Sequence, residues 1–180
     1  MDRQPVLEGE RVLLRPLAEE DWAALYAAGS DPKIWTHYPF PDRWKEPNFR
    51  VYFEEGLAKK GALAVIDKSS GRIVGSSRFQ YHCSENGGQV EIGWTFLARE
   101  VWGTGINTEM KRLMLRHALD SVERVIFHIG ENNVISRRAI EKIGGRLTDQ
   151  IDVLETADGS FPHVVYEITR KDFEEGPLNS

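Results

Sequence analysis

The chain has 180 residues, 41% hydrophobic and 28% charged, which is typical of a globular protein that buries a core without disulfides or metal ions. Its formal net charge is −5 and no run of Lys and Arg concentrates positive charge, so the pattern argues against nucleic-acid binding. The single cysteine, Cys83, excludes an intrachain disulfide and a zinc cluster built on several cysteines.

No segment has the character of a targeting or membrane sequence. The longest apolar runs fall short of the roughly 18 residues of a membrane span, and residues 1–10 are too polar for a signal peptide. No repeat or linker divides the chain. We therefore expect one domain over residues 1–180, located in the cytoplasm and without a membrane partner.

The first third of the chain predicts a strand followed by helices. Residues 11–17 form a short apolar run that contains a proline, as a strand would. Residues 18–28 have helical spacing with acids in the first turn, where the helix dipole favours them. Residues 31–47 are rich in proline and aromatics, which predicts a structured loop or short helices, and residues 49–60 predict another helix.

The rest of the chain predicts strands interrupted by two helices. Residues 62–67 and 72–81 are β-rich runs around a Lys-Ser-Ser-Gly turn, which indicates a hairpin. The further predicted elements are a strand at 89–97, a helix at 104–119, a strand at 124–128, a helix at 136–143, and strands at 146–154 and 162–168 around a turn at 158–160. The hairpins predict antiparallel pairs, and the strand-helix-strand passage from 91 to 128 requires one parallel pair. The fold class is therefore mixed α/β.

A glycine turn between the strand at 89–97 and the next helix is the most informative segment. Gly103 and Gly105 allow a tight turn and a close approach of backbone amides to a ligand. The amides of residues 103–108 start a helix, where unpaired donors can converge on a diphosphate. A plain turn with helix capping is the alternative. Neither a P-loop nor a GxGxxG fingerprint fits, because no Gly-Lys-Ser/Thr follows and Thr108 stands where the fingerprint needs glycine.

Four motifs follow one another along the chain: Glu91-Ile92-Gly93-Trp94, Trp102-Gly103-Thr104-Gly105, Asn132-Asn133-Val134-Ile135-Ser136 and Glu141-Lys142-Ile143-Gly144-Gly145. They resemble the GCN5-related N-acetyltransferase (GNAT) superfamily, and most closely its RimJ/RimL-like branch, over about residues 10–168. The resemblance implies a mostly antiparallel sheet of six to seven strands with helices on both faces. It also implies an enzyme that moves an acetyl group from acetyl-CoA directly to a primary amine, on a small molecule or a protein N-terminus, without a metal.

The cofactor-binding candidates combine the glycine turn with positions that the resemblance implies. The resemblance implies that backbone amides before the turn bind pantetheine and the thioester oxygen and that Asn132 contacts pantetheine or its sulfur. Arg138 could meet a CoA phosphate or lie on a solvated basic face. The candidates are Phe96, Leu97, Ala98, Trp102, Gly103, Thr104, Gly105, Ile106, Asn107, Thr108, Asn132 and Arg138.

Two residues are candidates for proton transfer. The amine must be neutral to attack, so a carboxylate has to take its proton, and Glu91 is the candidate base; a strand-end glutamate that only pairs with a cation is the alternative. The resemblance implies that Ser136 protonates the CoA thiolate, although serine at this place also predicts a helix N-cap. His117 and His128 lack the spacing of metal ligands. Asp152, with Glu155 and Asp158, could attract a cation or lie in an exposed turn.

Two departures from the superfamily pattern leave other functions open. Asn107 replaces a small residue in the turn, and Gly145 stands where phenylalanine is common, which predicts a gap at the helix end. A CoA-binding sensor or scaffold without catalysis, and a transferase for a longer acyl-CoA, are the alternatives. Exposed aromatics near residues 35–44 make a homodimer possible.

Overall fold

The protein forms one mixed eight-stranded sheet in the order β1-β2-β3-β4-β5-β6-β8-β7. The computed structural model describes residues 1–156 and 159–179. Among the strands of these described residues, β5 and β6 form the only parallel pair, as the crossover in the sequence predicts. The strands are β1 (Leu7–Glu8), β2 (Val12–Pro16), β3 (Ala62–Asp67), β4 (Arg72–Cys83), β5 (Gln89–Leu97), β6 (Arg124–Gly130), β7 (Arg146–Thr156) and β8 (Gly159–Thr169).

In the part of the chain that the structure describes, five α-helices cover the two faces of this sheet. On β3, Leu63 and Val65 belong to the buried cluster of α3, whereas Ala62 and Ala64 belong to the cluster of α2, because side chains alternate between faces along a strand. The mixed fold with helices on both faces is therefore confirmed. The helices are α1 (Trp22–Gly29), α2 (Glu46–Lys59), α3 (Ile106–Leu119), α4 (Val134–Lys142) and α5 (Arg170–Glu174).

The sheet has eight strands rather than the six to seven expected. The extra strand β1 spans only two residues, Leu7 and Glu8, which is too short to produce a periodic pattern. Helix α5 was also missed, because it has five residues, although Thr169 and Asp172 form a capping box at its start. Part of the predicted turn at 158–160, namely Asp158, lies outside the described residues.

Two helices begin earlier than the sequence predicts. Helix α2 starts at Glu46 and takes Pro47 into its first turn, where proline has no hydrogen bond to lose. Helix α4 starts at Val134, and the Asn133 side chain accepts the Ser136 N–H at 3.2 Å. The interpretation of Ser136 as the N-cap is therefore wrong, since Asn133 fills that position.

The predicted gap at Gly145 does not exist. A Cβ placed on Gly145 would lie 2.2 Å from Ile140 Cγ2, so helix α4 already fills that space. The Gly145 N–H also donates to the Ile140 carbonyl at 2.9 Å, which closes the helix end. Among the described residues, no helix has the length and apolar character required to cross a membrane.

The capping assignment predicts different outcomes for two alanine variants. Asn133→Ala should lower the free energy of unfolding by about 1 kcal/mol, because the Ser136 N–H loses its acceptor. Ser136→Ala should change it by less than about 0.5 kcal/mol. Urea unfolding of both variants measures the difference, and a larger loss for Ser136→Ala would show that the cap is misassigned.

Candidate active site

The parallel strands β5 and β6 separate part way along their length. They pair at Gln89↔Arg124, Val90↔Val125 and Glu91↔Ile126, and no further pair follows. Strand β5 nevertheless continues to Leu97 and β6 to Gly130. The two strands therefore enclose a split that opens toward their carboxyl ends, the end at which sheets with parallel strands bind ligands.

A bulge in β5 shapes one side of this split. Trp94 and Thr95 together face Ser77 of β4, and Trp94 has a left-handed φ of 51°. Two phenols hold the bulge: the Tyr52 hydroxyl donates to the Trp94 carbonyl and the Tyr38 hydroxyl to the Thr95 carbonyl, both at 2.7 Å. Burial raises the pKa of Tyr38 to about 12, so its phenol stays a donor at neutral pH.

Past the bulge, β5 leaves one backbone amide free to face the split. The Ala98 N–H donates to the Val74 carbonyl of β4 at 2.8 Å. Because amides alternate in an antiparallel ladder, the Phe96 N–H also points to β4, and the Leu97 N–H points the other way. Of the three predicted amide positions, Leu97 is thus the one directed at the split. The Trp102 indole donates to the Leu97 carbonyl at 2.9 Å and fixes its orientation.

The glycine turn at the end of β5 presents several unpaired donors. Gly103 and Gly105 both have left-handed φ values, 74° and 91°, which explains glycine at these two positions. Helix α3 begins at Ile106, and its first bond to the turn comes from the Glu109 N–H to the Gly105 carbonyl. The N–H groups of residues 106–108 therefore have no partner within the described chain, whereas the Thr104 N–H donates to the Val101 carbonyl.

Arg11 is a neighbour of this turn that sequence reasoning missed. Its Nη1 donates to the Thr104 carbonyl at 2.6 Å and would lie 3.3 Å from a Cβ placed on Gly105. The guanidinium thus adds positive charge beside the helix start. Its separation of 93 residues from Thr104 explains why no local motif could reveal it.

The start of α4 lies at the end of β6, on the opposite side of the split. Asn132 is exposed and Ser136 half-buried in the first turn of the helix. No described residue hydrogen-bonds the Ser136 hydroxyl. Arg138 is exposed one residue beyond Arg137, whose guanidinium instead donates to the Tyr166 hydroxyl and the Glu131 carbonyl. The first turns of α3 and α4 therefore flank the open end of the split.

Glu91 lies where the strands part and is held by His128. Its carboxylate is buried and lies 3.1 Å from His128 Nδ1, while His128 Nε2 lies 2.7 Å from the Asp152 carboxylate on β7. The Glu91 hydrogen bond is the main cause that raises the pKa of His128 to about 9, with Asp152 adding to it. Hydrogen bonds from Gln150 and then His128 lower the pKa of Asp152.

His128 is the functional candidate that sequence reasoning undervalued. On β6 the apolar Val125, Phe127 and Ile129 face α3, so His128 must face the other side, as Glu91 does between Val90 and Ile92. The sequence shows this alternation, but only the pairing of β6 with β5 shows that His128 and Glu91 lie next to each other. Asp152 is a partner of this histidine and does not lie in a turn.

Lys111 approaches the split from the α3 face. Its Nζ donates to Thr95 Oγ1 at 2.9 Å and lies 5.7 Å from the centre of the Phe127 ring. Burial lowers the pKa of this amine to about 7. In the part of the chain that the structure describes, no group of three or more His, Cys, Asp and Glu residues is arranged to hold a metal ion.

Comparison with known proteins agrees with this geometry. The model of the acetyltransferase (GNAT) domain matches residues 11–146. A GCN5-related N-acetyltransferase from Brucella melitensis superposes with a TM-score of 0.85 at 22% identity, over 98% of this chain and 82% of that one. An acetyltransferase of the GNAT family from Bacillus anthracis gives a TM-score of 0.74 at 22% identity, over 93% and 99% of the two chains.

A third similar structure is the microcin C7 self-immunity acetyltransferase MccE, determined in complex with acetyl-CoA and AMP. Its TM-score is 0.75 at 18% identity, over 93% of this chain and 98% of that one. At such identities the three structures establish likeness of fold, and the matched family model covers most of the chain.

The ion pairs of His128 predict a pH dependence of stability. Because the pKa of His128 rises from 6.5 to about 9 on folding, the folded state holds an extra proton between these values. The stabilisation is fully present below about pH 6.5 and is lost as the pH rises through about 9, by roughly 1–2 kcal/mol after allowing for solvent screening.

His128→Gln should remove this loss, as measured by urea unfolding at pH values from 6 to 10. His37→Gln is the matched control, since His37 is exposed and has no ion pair among the described residues. If the free energy of unfolding of His128→Gln falls with rising pH as steeply as that of the native protein, His128 is not the cause of the pH dependence.

Proposed function

Since the chain belongs to the acetyltransferase (GNAT) family, we propose that it transfers an acetyl group from acetyl-CoA directly to a primary amine. The observation that carries this proposal is the split between β5 and β6, with unpaired N–H groups at its open end and the Glu91–His128 pair where it begins. The acceptor is a small molecule or a protein N-terminus. Membership of the RimJ/RimL-like branch, a cytoplasmic location and a homodimer stay predictions.

The residues at the open end fit the chemistry of CoA. Acetyl-CoA, when bound, supplies an activated acetyl group on a thioester, and the similar MccE structure contains this molecule. The N–H groups of Ile106, Asn107 and Thr108 would hold the diphosphate at the positive end of α3, with Arg11 adding charge. Across the split, Asn132 would contact pantetheine and the exposed Arg138 a phosphate.

Glu91 would accept the proton that the amine must lose before it attacks. Its carboxylate is buried, and the protonated His128 offsets the cost of burying that charge. The cluster of Glu91, His128 and Asp152 carries one net negative charge, which favours the approach of a cationic amine. His128 acts on Glu91 and is thus a positioning residue.

Two further groups would stabilise the charges that form during transfer. The Leu97 N–H, directed into the split, would donate to the developing oxyanion. Ser136 would give a proton to the departing sulfur, and its hydroxyl has no partner elsewhere in the described chain that would compete. Since Asn133 caps the helix, Ser136 has no capping role that would account for it.

A charge placed on the glycine turn tests the cofactor site. Asn107→Asp keeps the shape of the side chain and adds a negative charge at the start of α3, where a diphosphate would be repelled. The affinity for CoA should fall by about tenfold or more, as measured by titration calorimetry. The free energy of unfolding should stay equal or rise by about 0.3–1 kcal/mol, because acids are favourable at helix starts.

Asn48→Asp is the matched control for this charge. It makes the same change in the first turn of α2, at an exposed position away from the split. It should leave CoA affinity unchanged. If Asn107→Asp binds CoA as tightly as the native protein does, the diphosphate does not lie on this turn.

A second experiment tests the transfer and its base. Thiol release from acetyl-CoA should accompany acetylation of at least one amine in a panel; tight CoA binding without release for every amine, longer acyl-CoA donors included, would favour a sensor. Glu91→Gln should lower kcat/KM about 100-fold or more near pH 7, and part of the loss should be recovered at high pH, where the amine is already neutral. An unchanged pH profile would remove Glu91 as the base.

A further inference from the structure

Strand β4 carries two buried polar atoms that the proposed transfer does not use. Arg78 is 2% exposed and Gln80 is 5% exposed, yet Arg78 Nε and Gln80 Oε1 have no hydrogen-bond partner among the described residues. Buried polar groups are nearly always paired, so each of these atoms needs an explanation. One is a charged donor and the other a neutral acceptor.

The register of the sheet places both residues beside Glu91. Gln80 lies opposite Glu91, and Arg78 lies opposite Gly93; a Cβ placed on Gly93 would lie 3.2 Å from Glu91 Oε1. Residues two apart on a strand share a face at a spacing of about 6.6 Å. The unpaired donor and the unpaired acceptor thus lie side by side on the face that holds the candidate base.

Arg43 brings a second guanidinium to the same place. Both guanidinium groups lie near the Tyr52 ring, whose centre is 4.6 Å from Arg78 Cζ and 5.1 Å from Arg43 Cζ. Arg78 donates one hydrogen bond, to the Tyr52 carbonyl. The Arg43 guanidinium rests on aromatic rings, 4.6 Å from the centre of Phe40.

Neither arginine has a counterion close by. In the described part of the chain, no carboxylate lies within 4.0 Å of either guanidinium. Glu55, exposed on α2, acts on both only at longer range, and burial lowers the pKa of both arginines. The two like charges also repel each other. An anion held between the two guanidinium groups would offset both the burial of unpaired charge and the repulsion between them. Planar guanidinium groups are suited to binding carboxylate and phosphate.

We propose that the acetyl acceptor is a zwitterionic amine whose anionic group, a carboxylate or a phosphate, binds Arg78 and Arg43 while its amino group donates to Gln80 Oε1 beside Glu91. This rests on the proposed function and names the class of acceptor. Tyr52 also holds the Trp94 carbonyl of the bulge, so the arginines lie next to the strand segment where transfer would occur.

Pairs of amines that differ only in the anionic group test this proposal. β-Alanine is compared with β-alaninamide for the carboxylate, and 2-aminoethyl phosphate with 2-aminoethanol for the phosphate. The native enzyme should favour the anionic member of at least one pair by about tenfold or more in kcat/KM, and the larger preference identifies the anion. Equal rates within both pairs would overturn the proposal.

Two arginine variants separate a binding site from a general charge effect. Arg43→Gln should abolish the preference, and it is chosen because Arg43 is only half-buried, whereas a change at Arg78 risks misfolding. Arg50→Gln is the control, since Arg50 also stacks on an aromatic ring, Trp22, but has a carboxylate partner in Glu46. A preference that Arg43→Gln retains in full would overturn the site.

Thermal protection keeps this test separate from the proposed function. With CoA at saturation, succinate or inorganic phosphate should raise the Tm of the native protein and of Arg50→Gln, but not of Arg43→Gln. If no amine is acetylated and this protection is still observed, the transferase proposal fails and the anion site stands. If neither anion raises the Tm of the native protein, the anion site fails.

Discussion

The site depends on one feature of the sheet, the loss of pairing between β5 and β6 after Glu91. Strands that stop pairing leave backbone donors and acceptors open, and such groups are costly unless something else satisfies them. Here the Tyr38 and Tyr52 phenols donate hydrogen bonds to the bulge carbonyls, and the Trp102 indole donates one to the Leu97 carbonyl. Most of the irregular backbone is thereby fixed, and the Leu97 N–H is the group left to face a ligand.

A second constraint is the pair of guanidinium groups beside this split. Arg78 is buried and Arg43 is half-buried, and neither has a close carboxylate among the described residues. Burying an unpaired charge costs several kcal/mol, and a core of aliphatic residues would be more stable. Proteins keep such destabilising groups where a ligand uses them. The carboxylates of Glu91 and Asp152 instead pair with His128, so negative and positive side chains are separated within one face of the sheet.

The sequence was sufficient for most of the fold and for part of the site. Strand and helix order follow from local periodicity, and the glycine turn follows from Gly103 and Gly105, whose left-handed φ values few other residues tolerate. The failures have physical reasons. Arg11 meets the turn, and His128 meets Glu91, only through strand pairing between distant segments. The N-cap is Asn133 rather than Ser136. Both residue types are favourable at a helix start, and only the backbone geometry decides between them.

The bulge explains how one strand can serve two faces of the sheet. Before the bulge, Glu91 points away from α3 and contacts His128. Beyond it, Thr95 points toward α3 and accepts from Lys111, while the Trp94 ring lies 5.6 Å from Arg78 Cζ on the other face. An unbroken strand would bring residues 91 and 95 to the same face, because side chains alternate strictly with a period of two. The extra residue reverses this alternation. Groups on both faces of the sheet can therefore come from one strand and meet at the bulge. There β5 still pairs with β4, but on its other side it has no pairing with β6 that would block a ligand.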